Sequence, residues 1–171
     1  MTPSIIFNLH LVLGYACWLF CFPAAWPRLR AMDPAEAQRL IAMLHAFRFF
    51  GLVFILPGVV GPHLPPRFAT YAAYGDLATG LLALLALMTF RWRAFFWTLA
   101  TAFNLVGIAD LIGDYYNGVM LDLPGVAGDL GAAYAIVILF VPILMITHIT
   151  ALVLLLRSGG GVTSNAASPR P

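Results

Sequence analysis

The sequence predicts an all-α integral membrane protein, a bundle of five transmembrane helices with the N-terminus outside and the C-terminus cytoplasmic. Three observations predict it. Hydrophobic residues make up 62% of the 171 residues and charged residues 9%, with a mean hydropathy of +0.93; a soluble domain is nearer half apolar and a quarter charged. Five apolar runs approach the ~20 residues needed to cross hydrocarbon. The arginines gather in alternate loops. This balance excludes a soluble enzyme, a nucleic-acid binder and a disordered linker, and it makes the lipid bilayer the first partner. The length suits one domain, residues 1–157, followed by a tail.

The first span, near 5–26, carries no charge from Met1 to Pro27. It lacks a basic leader and a small-residue cleavage site, so it reads as a retained helix. Cys17 and Cys21 are four residues apart on it, poorly placed for a disulfide and too few for zinc; they read as small packing residues. The second span, near 40–61, is introduced by Asp33-Pro34-Ala35-Glu36, an N-cap, a proline at the first helical position and an acidic capping partner. Gly61-Pro62-His63-Leu64-Pro65-Pro66 ends it. The third span, near 69–90, and the fourth, near 94–115, are joined by the short turn Arg91-Trp92-Arg93, so spans two to four are expected side by side. The stretch 117–131 is Gly-rich and acidic and is expected to cap the outer mouth or dip back as a lid. The fifth span, near 132–156, contains Pro142, as the second contains Pro57; both free backbone carbonyls and are expected to kink their helices. Residues 158–171 are rich in Gly, Ser, Asn and Pro and are expected to be disordered.

Arg28, Arg30, Arg39, Arg91, Arg93, Arg157 and Arg170 fall on one side of a five-span chain, whereas the other side has Arg67 with Asp122 and Asp129. Positive residues stay inside, which sets the orientation. Trp26, Trp92 and Trp97 suit an aromatic belt at that inner interface. The expected location is a bacterial inner (plasma) membrane.

Ionisable groups inside a bilayer cost roughly 2.5–3.5 kcal/mol each on the insertion scale and persist where they pair or act. His45 and Arg48 are three apart and share a helix face. Arg48 stays charged and needs an anion. Arg48 falls near mid-membrane, Asp76 on the third span and Asp110 on the fourth fall in the outer half, and one ion pair, with either, is the simplest arrangement. One arginine for two aspartates leaves a carboxylate over, and His10 on the first span lies at similar depth. Asn104, Gly107, Asp110 and Asp114 recur at the helical period as a polar stripe, with Asp114 expected at the interface. The candidate ligand or proton site is therefore Arg48, Asp76, Asn104, Asp110 and His10. His45 and His148 lie at matched depth on different spans and form a second candidate, axial ligands of a b-type haem; the bland reading is two hydrogen-bonded interior histidines. The chain has nine arginines and no lysine, so a lysine Schiff base to retinal or pyridoxal phosphate is excluded. Serines stand only near the ends, which argues against an intramembrane serine hydrolase.

Tyr74-Gly75-Asp76-Leu77-Ala78-Thr79-Gly80, then Asn104-Leu105-Val106-Gly107, Tyr115-Tyr116 and Gly118, with a proline in the last span, resemble the small membrane isomerases of the styrene oxide isomerase and hydroxylaminobenzene mutase group. The resemblance covers about residues 74–118. It implies a membrane enzyme acting on a small lipophilic substrate. In that group the first motif carries a histidine, the haem ligand of the styrene oxide enzymes; no histidine stands at that point here.

Three functions stay open on these residues. The first is a membrane protein whose buried His/Arg/Asp site binds a small lipophilic or ionisable ligand, or couples protons to its movement. The second is a membrane isomerase or haem enzyme. The third is a structural subunit of a membrane complex. Homo-oligomerisation is compatible with each.

Overall fold

A computed structural model describes residues 1–164, with side chains described to 157. The expected tail, 158–171, thus falls on residues whose side chains, or from 165 on whose whole placement, lie outside the described set. Helix α1 is Pro3–Ala31 and α2 is Pro34–His45, prolonged by a 3₁₀ stretch Ala46–Ile55. α3 is Pro66–Met88 and α4 is Arg93–Met120. A 3₁₀ turn, Ala127–Ala133, and a π turn, Ile136–Phe140, lead into α5, Val141–Ser164. No strand occurs among the described residues. Five segments are long and apolar enough to cross a membrane: Pro3–Ala31, Pro34–Ile55, Pro66–Met88, Arg93–Met120 and Ile136–Arg157.

The expected start of α2 is reproduced, with the Asp33 side chain accepting from the Ala35 and Glu36 backbone N–H groups. Its end is not. The helical run stops at Ile55 with Leu56 extended, so Pro57 lies beyond the helix and does not kink it. The residue before a proline is pushed out of the helical region, which accounts for the early stop. α3 lies close along the 3₁₀ stretch, and small residues permit it: a Cβ on Gly80 would stand 3.0 Å from the Phe49 backbone N.

Pro142 acts differently. The π turn precedes it, with the Val141 N–H bonding Ile136 O. The irregular carbonyls find partners on α1. Trp18 Nε1 donates to Leu139 O at 2.8 Å, and Gly14 stands against Ile138 O, where any Cβ would overlap it. Non-helical backbone at membrane depth is tolerated where protein satisfies it.

Buried side chains form two apolar clusters. One, at the end carrying the N-terminus, gathers Phe7, Phe54, Phe68, Leu123 and Leu130. The other gathers Ile41, Ala86, Phe96, Phe103 and Leu154. A layer of buried polar side chains lies between them along α2 to α5. The segment after α4 caps the first cluster, burying Leu123, Ala127 and Leu130. It is pinned to the α2–α3 loop by Gly61 N–H to Asp129 O at 2.7 Å and by His63 N–H to Asp129 Oδ1 at 3.2 Å. Gly131 is a glycine of necessity there, with φ +52° and Val59 O where a Cβ would sit. At the opposite end Arg39 and Arg93 both lie over the Phe90 ring, at 4.7 and 5.1 Å, and Arg157 lies over Trp26 at 5.4 Å.

α1 is the peripheral helix. It buries only Phe7, Gly14 and Leu29, and Phe20 is 87% exposed. Cys17 and Cys21, expected as packing residues, are exposed.

Candidate functional site

Arg48 is the centre of the polar layer and is 1% exposed. Its guanidinium fork divides between two helices. Nε donates to Asp76 Oδ1 on α3 at 2.6 Å, and Nη2 donates to Asp110 Oδ2 on α4 at 2.5 Å. The expectation of one pair is corrected: the planar fork offers separate edges, so one arginine serves both carboxylates. Nη1 reaches His148 Nε2 at 3.2 Å and Gly107 O at 3.4 Å.

The donor inventory then fixes the rest. Arginine has no acceptor, so His148 Nε2 accepts and His148 is the neutral tautomer with its hydrogen on Nδ1. Nδ1–H donates to Asn104 Oδ1 at 2.9 Å. Asn104 Nδ2 donates to Gln38 Oε1 at 3.3 Å and to Ala100 O at 2.8 Å. Gln38 Nε2 donates to Ala151 O at 2.8 Å. The chain Arg48–His148–Asn104–Gln38 is thus directed from end to end, each member donating to the next.

His45 stands beside it, its ring centroid 3.9 Å from that of His148. Its Nε2 bonds Thr147 Oγ1 at 3.0 Å, and that hydroxyl donates to Ile143 O at 2.7 Å. Nε2 therefore carries the hydrogen, and the buried Nδ1 lone pair has no partner among the described residues.

Three glycines make room for the ionic groups. A Cβ on Gly51 would overlap the Asp76 carboxylate, one on Gly75 that of Asp110, and one on Gly107 the His148 imidazole. Of the three, Gly107 is legible in the sequence as a point of close approach, through its place on the α4 stripe.

Beside this layer, toward the N-terminal end, lies a cavity of about 120 Å³. Phe7, Phe54, Phe68 and Leu123 give it an apolar wall, and Asp76 and Asp114 supply carboxylates. Asp76 thus faces the cavity while holding Arg48. Asp114 Oδ1 is buried without a hydrogen-bond partner among the described residues. Across the seam between α1 and α4, the hydroxyls of Tyr15 and Tyr115 meet at 2.6 Å.

Of the expected site residues, Arg48, Asp76, Asn104 and Asp110 come together, with His148 joining them and His45 alongside. His10 does not. It is exposed on α1 and bonds the Tyr134 hydroxyl at 2.8 Å. Matched depth is not enough, because α1 lies outside the polar layer. The haem expectation does not fit the geometry: the two imidazoles lie against each other, centroids 3.9 Å apart and planes tilted by 37°, leaving no space for a porphyrin between them, and both His148 nitrogens are engaged. Among the described residues no group of three or more His, Cys, Asp or Glu is placed to hold a metal ion. Gln38 is a site member that sequence reasoning missed, and Asp114, expected at the interface, lines the cavity. Asp114 extends the α4 stripe, and that period was its signal.

A family model described as a domain of unknown function, DUF8737, matches residues 6–156. No curated protein and no solved structure matches the chain.

Proposed function

The chain belongs to the DUF8737 family, and we propose that it is an integral membrane protein that binds a small lipophilic ligand in the cavity beside Arg48. In this reading it spans the plasma membrane five times, N-terminus outside and C-terminus cytoplasmic. The arginine-rich loops support the orientation, and Arg39 and Arg93 sharing Phe90 supports their lying at one end. Large apolar side chains exposed along the helices support a hydrocarbon surround.

The observation that carries the binding reading is the double role of Asp76. Its carboxylate lines the cavity and also receives Arg48 Nε. A ligand in the cavity therefore acts on the Arg48 network directly, and through it on Asp110, Gly107 and His148. Any proton taken up or released at these carboxylates is coupled to occupancy.

The test is thermal stability of the detergent-purified protein against a panel of small lipophilic compounds. Ligands that bind the native state raise its stability. Protection is expected in the wild type and lost in Ala72→Leu, since Ala72 lines the cavity and is buried. Protection unchanged in that variant sinks the assignment.

A second reading is an isomerase acting on a lipophilic substrate. It is favoured by a carboxyl group with an unpartnered oxygen, Asp114, on the wall of an apolar cavity, where an acid–base group would work. Conversion of an aryl epoxide by purified protein, followed by chromatography, is its test.

A further inference from the structure

The cavity beside Arg48 selects by charge as well as by lipophilicity, a selectivity that rests on its being the proposed ligand site. Arg48 is the cation of the polar layer, and each of its nitrogens is already engaged: Nε by Asp76, Nη2 by Asp110, and Nη1 by His148 and Gly107 O. None of these bonds goes to Asp114. Its Oδ1 is buried, faces no donor among the described residues, and belongs to a residue on the cavity wall.

That wall discriminates between ligand charges. An anion meets the carboxylates of Asp76 and Asp114. A neutral apolar molecule fills the space but leaves the Asp114 oxygen unsatisfied, which is costly for a buried acceptor. A cation with N–H groups finds a carboxylate on that wall, and the rings of Phe7, Phe54 and Phe68 favour a cation near their faces. Size adds a limit. An apolar cavity of about 150 Å³ holds benzene, so about 120 Å³ admits one small ring or a short branched chain.

We infer that the cavity takes a compact lipophilic amine in its protonated form, the ammonium on Asp114 and the hydrocarbon against Phe7, Phe54 and Phe68.

The experiment is calorimetric titration of the detergent-purified protein with isobutylamine, isobutanol and isobutyrate, which share a short branched chain and differ in charge. The amine is expected to bind at least about tenfold tighter than the alcohol, as one charge-assisted hydrogen bond predicts, and the carboxylate weakest. In Asp114→Asn the amine's advantage is expected to vanish while alcohol binding persists, which also reports that the variant is folded. Equal binding of amine and alcohol by the wild type overturns the inference and leaves the binding reading standing, as does preference for the carboxylate. Binding of none of the three overturns both. The wild-type comparison decides the matter even if the variant does not fold.

Discussion

Gly107 on α4 and His148 on α5 touch so closely that no side chain fits between them: a Cβ on Gly107 would overlap His148 Nε2. That nitrogen accepts from Arg48, whose Nη1 also reaches Gly107 O. Helix–helix approach and ionic network therefore meet at one backbone position. Gly107→Ala is expected to push the imidazole off Arg48 and to destabilise the protein by about 1–3 kcal/mol, the usual range for overpacking a tight interior. Thermal unfolding in detergent checks it, and a variant as stable as wild type would show that the contact has slack.

Arg48→Met leaves Asp76 and Asp110 buried without their cation. Breaking a buried pair costs about 3–5 kcal/mol, whereas replacing the whole set by neutral groups costs far less. The single variant is expected to unfold at much lower denaturant or temperature. The triple variant Arg48→Met, Asp76→Asn, Asp110→Asn is expected to recover most of the loss. A triple variant weaker than the single one would mean that the carboxylates are held by something other than Arg48.

The close contact of the His45 and His148 rings predicts that these two residues hold no haem between them. Purified after expression with haem supplied, the protein should show no Soret band from that pair, oxidised or dithionite-reduced. A Soret band that disappears in His45→Ala would contradict that ring contact.

Orientation is checked with reporters fused after the last span. A green fluorescent protein fusion is expected to fluoresce and an alkaline phosphatase fusion to be inactive, as for a cytoplasmic C-terminus. The opposite pattern would reverse the topology and place the Arg39–Phe90–Arg93 cluster outside.

Depth was legible in the sequence along most spans, azimuth only where a polar stripe marked it. Counting residues from the span ends put Arg48 near mid-membrane with Asp76 and Asp110 in the outer half, and His45 level with His148; the structure joins the first three and sets the last two rings against each other. The period of Asn104, Gly107 and Asp110 gave α4 its inner face, and all three are buried. α1 gave no comparable signal, because it carries no charge within the span. Depth alone then drew His10 into the site, where the structure has it exposed beside Tyr134. A span with no charge anywhere was itself a hint of a helix outside the polar layer. The division of Arg48 between two carboxylates, and Gln38 as the far end of the chain, depend on tertiary geometry that spacing does not encode.

The clasp between Trp18 and Leu139 sets an order on biogenesis. α1 leaves the ribosome well before α5, yet the backbone it completes, the π turn before Pro142, belongs to the fifth of the described spans. Until that span is inserted, α1 has lipid in place of its partner, which its uncharged apolar surface allows. The bundle closes only when α5 meets α1.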